Sequence, residues 1–494
     1  MRGLLTDVKR IRKQVFVEIA SLAYHSTDLV GDIEAIPYKI SEAEKPKYRE
    51  SIYRERAIIR EQVRLAMGLS LRPEDKPVHL TEGLSNSDIA EKYYEPPLMQ
   101  VIPSACNACE SNQYEVSDQC KGCVAHPCGE VCPVGAIKRV PGGVSRIDQS
   151  ICIKCGKCKA NCPYDAISHK VRPCEVACGV GAIESDSMGR ARINPDKCVS
   201  CGMCMVNCPF GAIADKSQIF QLIRSMQTGK RTVAIVAPAI AGQFGKAVSM
   251  EQIKGALLEL GFADVVEVAL GADMGAMHEA KQYAELVATG KVPFLLTSCC
   301  PSWAMLAKKY FPETIDKISN TLTPMVCTAR MVKEKDPDCS IVFIGPCAAK
   351  KLEASRRTIR SDVDFVITFE ELDAMLVAKG VVFSQKNKVN VEDATSVGRG
   401  YAIAGGVAGA IEKCVKEYYP GIEVHIEHAE GLEECRKALL LAKVGKKKGC
   451  LIEGMGCPGG CVGGAGTNIP VVQAAREVTK FASSARKKIP EMEE

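Results

Sequence analysis

The sequence predicts an α/β domain of largely parallel sheets, preceded by a cysteine-rich α+β region and an N-terminal helical segment. Three observations carry this. Residues 1–95 contain no cysteine but show two stretches with apolar residues at helical spacing, Val8–Ala23 and Tyr48–Met67. From about residue 100 to 215 the chain is a string of cysteines separated by short polar turns. Past residue 225, short apolar runs alternate with helical stretches, as parallel strands joined by crossover helices do.

At 494 residues the chain is long enough for two to four domains, and its 46% hydrophobic and 25% charged residues suit a soluble globular protein. A net charge of +5 offers nucleic acid no electrostatic support. No apolar run approaches the roughly 18 residues that span a bilayer, and the start lacks the apolar core of a signal peptide. A cytoplasmic location with no membrane partner is expected. Cysteine is the outlier, with 26 against one Trp. In a reducing compartment that count argues for metal ligation rather than disulfides.

The N-terminal segment reads as two amphipathic helices, with Pro37, Pro46 and Pro73 in connections. Its role is either a cap over neighbouring clusters or an extra helical layer.

Spacing decides which metal the cysteines take. Cys152, Cys155, Cys158 and Cys162, then Pro163, match the bacterial ferredoxin run C-x2-C-x2-C-x3-C-P, as do Cys198, Cys201, Cys204 and Cys208, then Pro209. A zinc ribbon uses paired C-x2-C units and needs no such triplet. An internal repeat places His126-Pro127-Cys128 through Cys132 before the first run and Arg172-Pro173-Cys174 through Cys178 before the second. Two ferredoxin-like iron–sulfur domains in tandem follow, at 96–167 and 168–222. Both first halves are irregular. Cys120 and Cys123 stand far from Cys128; no C-x2-C precedes Cys174, and Gly179 replaces the usual proline. Cys106 and Cys109 can supply the missing pair from upstream. These sixteen cysteines fill four [4Fe–4S] cubanes. Cys132 joins Cys152, Cys155 and Cys158; Cys178 joins Cys198, Cys201 and Cys204. The division of Cys106, Cys109, Cys120, Cys123, Cys128, Cys162, Cys174 and Cys208 stays open.

The α/β domain spans 223–480, with a tail at 481–494. Its strands are expected at Thr232–Val236, Val265–Ala269, Phe294–Leu296, Ser340–Ile344, Phe365–Ile367 and Cys450–Ile452. Several end in unusual loops: Ala237-Pro238-Ala239, Thr297 to Trp303, Gly345 to Lys350, and the glycine-crowded stretch Glu453 to Gly466. Ligand sites of α/β folds lie at the carboxyl ends of strands. Cys300, Cys347, Cys457 and Cys461 are therefore placed to converge on a fifth cluster. Cys457 and Cys461 have the spacing of one helical turn, and the surrounding glycines would let backbone approach a bulky anionic cofactor. Cys327, Cys339, Cys414, Cys435 and Cys450 read as buried thiols.

Three signatures together resemble the [FeFe]-hydrogenases: T-S-C-C-P-S-W at Thr297–Trp303, P-C-A-A-K-K-L-E at Pro346–Glu353, and E-G-M-G-C-P-G-G-C-V-G-G at Glu453–Gly464. With the ferredoxin-like region the resemblance covers about residues 100–475. It implies a two-lobed domain with the cofactor between the lobes. It also implies the H-cluster, a [4Fe–4S] cubane on Cys300, Cys347, Cys457 and Cys461, with Cys461 bridging to a two-iron subsite that carries CO, cyanide and an azadithiolate. Lys350 matches the lysine that bonds an iron-bound cyanide, and Cys299 the thiol that passes protons. Glu279 and Ser319 fall at further relay positions, while Pro238, Ala239 and Met455 border the cofactor. Gln282 and Leu286 depart from the acidic residue and arginine usual at the outer end of the relay. Gly345, Met325 and Ala465-Gly466-Thr467 are further departures, which suggest a divergent branch.

The activity implied is 2H⁺ + 2e⁻ ⇌ H2, with electrons from ferredoxin or flavodoxin and the subsite installed by maturation proteins. Alternatives are an H2-sensing regulator, or a non-catalytic iron–sulfur carrier or assembly protein.

Overall fold

The computed structural model describes residues 3–42, 45–356, 361–385, 388–391 and 394–491. The first helix, Asp7–His25, starts where the Thr6 hydroxyl accepts the Lys9 amide. It buries Val15, Phe16, Ile19 and Ala20 against helices Ile219–Gln227 and Phe369–Lys379. Lys9 and Arg12 pair with Glu370, at 3.1 and 2.5 Å. The segment is thus an extra layer on the α/β domain. It also touches the cysteine region, where Arg49 Nη2 donates to the Phe210 carbonyl at 2.5 Å.

Two expectations for this segment need correction. The helix expected from Tyr48 begins at Ile52, because the Glu55 carboxylate accepts the amides of Lys47, Tyr48 and Arg49 and holds them out of helical geometry. Pro37 lies inside an unexpected helix, Leu29–Ile40. It removes the amide that would bond the Ile33 carbonyl, and its ring is buried beside Ile33 and Ile36.

The cysteine region is nested. Strand Met99–Val101 pairs antiparallel with Ile213–Asp215 at the far end of the region, and Gln113–Val116 pairs with Ile167–Lys170. Residues 113–170 therefore form a module inserted into a second one built from 99–109 and 172–215. This topology carries Cys106 and Cys109 to the second module. Gly179 also has its reason. A Cβ there would meet Leu432 Cβ and the Glu433 amide, each at 2.7 Å, so the turn packs directly on the helix Leu432–Lys443.

The α/β part holds two parallel sheets. One has the order Asp264–Glu267, Thr232–Val236, Ser340–Ile344, Phe365–Ile367; the other has Phe294–Leu296, Cys450–Met455, His425–Glu430. Four expected strands lie where the sequence placed them. The run expected at Val265–Ala269 ends at Glu267, because Ala269 opens a helix that reaches Gln282. The last central strand runs on to Met455. The edge strand His425–Glu430 is polar and half-exposed, so no apolar run announces it. The closing helix Val471–Ser483 continues past residue 480. Among the described residues no helix is long and apolar enough to cross a membrane.

A buried lysine ties these parts together. Lys351, 1% exposed, donates to Asp215 Oδ2 at 2.7 Å and to Glu371 Oε1 at 2.8 Å, joining the second cysteine module to the α/β domain. Removing it strands two buried carboxylates. Lys351→Met is expected to lower the unfolding free energy by about 3–5 kcal/mol, measured by chemical denaturation of the anaerobic protein.

Candidate functional site

Two cysteines occupy equivalent positions in the two sheets. Phe294–Leu296 leads through Thr297-Ser298-Cys299 to Cys300, the N-cap of helix Pro301–Tyr310; Ser340–Ile344 leads to Cys347, the N-cap of helix Ala348–Ser355. Their backbones nearly coincide, at φ −99° ψ 112° and φ −109° ψ 114°. Each thiol stands at the positive end of a helix dipole, where a thiolate is favoured.

Cys457 and Cys461 follow the strand Cys450–Met455 of the second sheet. They are not one helical turn apart. Gly459 and Gly460 both take left-handed φ, 85° and 86°, and the intervening residues form a turn that ends in the short 3-10 helix Cys461–Gly463. Much of the glycine density serves protein packing rather than a cofactor. The Trp303 ring lies where a Gly454 Cβ would be, with atoms 2.1 to 2.6 Å from that position. Trp303 is fully buried and donates to the Thr297 carbonyl at 3.0 Å, which holds the T-S-C-C turn against the third signature. Only Gly456 meets the expectation directly, its amide donating to Cys300 Sγ at 3.4 Å.

The four thiols lie within one another's fields. Burial pushes Cys347 up to about 11 and Cys461 up to about 12, and Cys457 well above the ordinary thiol range, with Cys300, Cys347 and Cys461 adding to it. Neutral thiols are thus the resting state of the bare site. Metal binding there must release protons, and a cationic cluster would hold the thiolates in place.

Beside them is a cavity of about 70 Å³, roughly five water-sized groups. That volume suits diatomic ligands better than an organic substrate. Cys299, Cys300, Cys461, Lys350, Met455 and Pro238 line it, as the signatures lead one to expect. Ala239 does not; it is buried in the main core, and its carbonyl accepts from Gln243 Nε2. Other wall residues were not foreseen, among them Val268, Phe343, Tyr401 and Ala402. Phe343 explains Gly345, because its ring fills the space a side chain at 345 would need, 2.5 Å from the Cβ position. The Tyr401 hydroxyl is buried and has no hydrogen-bond partner among the described residues, a donor available to a bound group. No sequence pattern marks either residue.

Lys350 is 8% exposed and donates to Glu353 Oε2 at 2.6 Å. Burial opposes its charge, but the Glu353 carboxylate outweighs burial and holds the ammonium above its usual pKa. Glu279, on helix Ala269–Gln282, accepts the Ser298 amide at 3.0 Å and its hydroxyl at 3.1 Å, and bonds Ser319 as well. Burial raises its pKa to about 7. Cys299, Ser298, Glu279 and Ser319 therefore form one buried set. It stops at Gln282, whose amide is engaged by Thr321 Oγ1 at 2.8 Å and the Asn320 amide at 3.3 Å. Leu286 is half-buried, in a π-helical turn.

The other cysteines fall into groups. Burial raises Cys198, Cys201 and Cys204, with Cys178 adding to each, and Cys201 also feels Cys300 and Cys457, so this group abuts the site. Cys174 feels Cys106, Cys109 and Cys208, so these four thiols lie close together in the second module. In the inserted module Cys158 responds to Cys152 and Cys155, while Cys120 and Cys128 both contact Ser145. Cys132, Cys162, Cys178 and Cys208 each accept the amide of the alanine four residues on, at 3.2 to 3.4 Å, so Gly179 leaves its turn unchanged. Among the described residues no three His, Cys, Asp or Glu close tightly enough to share one ion. Ligands of a cluster stand further apart than those of tetrahedral zinc, whose sulfurs lie about 2.3 Å from a single ion.

Residues 230–465 match the C-terminal domain of the iron only hydrogenase large subunit, and residues 145–168 and 191–214 match 4Fe-4S binding domains. Iron hydrogenase 1 of Clostridium pasteurianum is 26% identical over 286 residues, 48% of this chain and 50% of that protein. The match thus spans about half the length of that relative. The periplasmic [Fe] hydrogenase large subunit of Nitratidesulfovibrio vulgaris is 26% identical over 329 residues, 56% of this chain and 78% of its own. The cytosolic Fe-S cluster assembly factor NAR1 of Kluyveromyces lactis is 43% identical over 82 residues, 17% of this chain and 18% of its own. A solved variant of the [FeFe]-hydrogenase HydA1 from Chlamydomonas reinhardtii overlaps 53% of the chain and 86% of its own, at 21% identity and a TM-score of 0.40. From its catalytic signatures and its 4Fe-4S binding domains, the chain is an iron-only hydrogenase-like protein, divergent from the relatives it matches.

Proposed function

We propose that the protein is a ferredoxin-linked hydrogenase that interconverts protons and H2. The observation that carries this reading is the convergence of Cys300, Cys347, Cys457 and Cys461 from two sheets, beside a small cavity walled by Cys299 and Lys350. The four cysteines would hold a cubane, with Cys461 shared with a two-iron subsite. When bound, that cofactor supplies the open iron position and the electrons for H2 chemistry.

The chain's own residues do the rest. Lys350, held cationic by Glu353, offers an ammonium to an anionic ligand in a dry pocket. Met325, Phe343 and Met455 exclude water from the cavity. Cys299 stands between the cavity and Glu279, where a thiol can hand a proton to the carboxyl, with Ser298 and Ser319 fixing that carboxyl in place. Electrons would pass through four cubanes on the sixteen remaining ligands, Cys201 being nearest the site. At the far end, Cys155 is the one exposed cysteine of the chain, with exposed Ile151, Ile153, Lys154, Lys157 and Lys159 around it. That face suits an acidic one-electron carrier such as ferredoxin or flavodoxin.

The likeness to the assembly factor NAR1 supports a second reading, an iron–sulfur protein that lacks the two-iron subsite. Infrared spectroscopy of anaerobically matured protein separates the two. Sharp CO and cyanide bands that shift under H2, with viologen-linked H2 evolution, are expected. Cubane signals by electron paramagnetic resonance without such bands would favour the assembly or carrier role.

Two substitutions test the proton path. Cys299→Ala is expected to abolish nearly all turnover with iron content intact; wild-type activity would remove Cys299 from the path. Glu279 binds its proton more tightly folded than unfolded, so its burial costs stability as pH rises from 4.5 to about 7. Glu279→Gln escapes that cost. Its stability relative to wild type should gain about 3 kcal/mol across the window, read from unfolding curves at several pH values.

A further inference from the structure

Resting on the hydrogenase reading, we propose a second proton route, which runs from the site through Glu453 to His428 at the surface. The path through Glu279 and Ser319 meets Gln282, an amide that cannot titrate, and then Leu286. Turnover needs a proton supply that this end does not provide.

Glu453 supplies one. It lies on the strand Cys450–Met455, and alternation along the strand puts it on the same face as Leu451 and Met455. Met455 lines the cavity, and Cys299 packs against the same cluster. Glu453 is 1% exposed, yet among the described residues no arginine or lysine pairs with it. Its Oε1 accepts the Val407 amide at 3.3 Å, near the N-terminus of helix Gly406–Tyr418. Its Oε2 faces His428 Nδ1 at 2.8 Å, across the sheet from its register partner.

His428 reaches water. It stands on the edge strand His425–Glu430 with 47% of its side chain exposed, and its Nε2 has no hydrogen-bond partner among the described residues. Glu427, Glu430 and Glu453 surround it, so the imidazolium is favoured; Lys447 pairs with Glu427 at 2.8 Å. At the inner end, Glu279 and Cys299 both feel the Glu453 charge.

The transfer balances. Nε2 takes a proton from water, making the ring cationic. The Nδ1 proton then crosses to Glu453 Oε2, which leaves a neutral carboxyl and a neutral imidazole protonated on Nε2. The carboxyl passes its proton inward by way of a water, and the ring resets by swinging out to solvent, where Nδ1 gains a proton and Nε2 releases one. Oxidation of H2 runs the same steps in reverse. An exposed histidine joined to a buried carboxylate is a recurring shuttle for the neutral range.

The test uses matured holoenzyme. His428→Ala and Glu453→Gln are each expected to lower H2 evolution about tenfold or more at saturating reductant, with the CO and cyanide bands and the iron content unchanged. Added imidazole should restore His428→Ala but not Glu453→Gln. Glu453→Asp, which keeps a titratable group, should retain more activity than Glu453→Gln. Bands present with wild-type turnover in both variants would overturn the route alone. A loss in His428→Ala that imidazole does not restore would also overturn it, since a structural role predicts that pattern. Absent bands in the wild type would overturn the hydrogenase reading, and the route with it.

Discussion

Four thiols must be brought from two separate sheets into one place closed to water. Burial there drives Cys347, Cys457 and Cys461 toward the neutral form. A thiolate at such a depth is costly unless something cationic meets it. The fold lowers that cost in two ways. Cys300 and Cys347 each follow a parallel strand and open a helix, so both sulfurs sit at positive helix ends. The Gly456 amide adds a donor to Cys300. The remaining charge is left for bound iron to balance, which ties occupancy of the site to its protonation.

The same logic governs how the cysteine modules sit on the α/β domain. An electron relay needs its last stop close to the site, and close approach needs small residues at the contact. Gly179 abuts Leu432, and Gly202 abuts Ala465, whose Cβ would lie 2.7 Å from a side chain there. Polar anchors fix the orientation. Lys309 donates to the carbonyls of Asp196 and Cys198, Tyr310 to that of Val180, and Lys351 bridges Asp215 and Glu371. The contact is therefore specific in angle as well as area. A shift there would move Cys201 away from Cys300.

On the proposed hydrogenase reading, protons and electrons would leave the site in different directions. The cysteine groups extend toward exposed Cys155, while the titratable side chains lie across the second sheet and its flanking helices. Two acids flank Cys299 in contrasting settings. Glu279 is bonded by hydroxyls and an amide and sits near 7, poised to change charge in the neutral range. Glu453 is paired with an imidazole that opens to solvent. Gln282, an amide held by its own loop, separates the first acid from the surface.

Chemistry was legible in the sequence wherever ligands stand at fixed local spacing. The ferredoxin runs, the strand-ending cysteines and the three signatures are short-range patterns, and the turns they predict are set by neighbours a few residues apart. So are the apolar runs of buried strands. Partnership across the chain was not legible, because it depends on which surfaces dock. The nesting of one module in the other follows from the pairing of Met99–Val101 with Ile213–Asp215, and it is what carries Cys106 and Cys109 toward Cys174 and Cys208. The start of helix Ile52–Ala66 depends on a carboxylate that captures three amides, and Gly454 of the third signature on a tryptophan 151 positions earlier in the numbering. The walls of the cavity at Phe343 and Tyr401, and the bond between His428 and Glu453, join residues that no motif links. Sequence by itself determined which side chains can do the chemistry. Tertiary structure decided which of them meet, because burial and hydrogen bonding between distant segments exist only once the two sheets and the cysteine modules have packed.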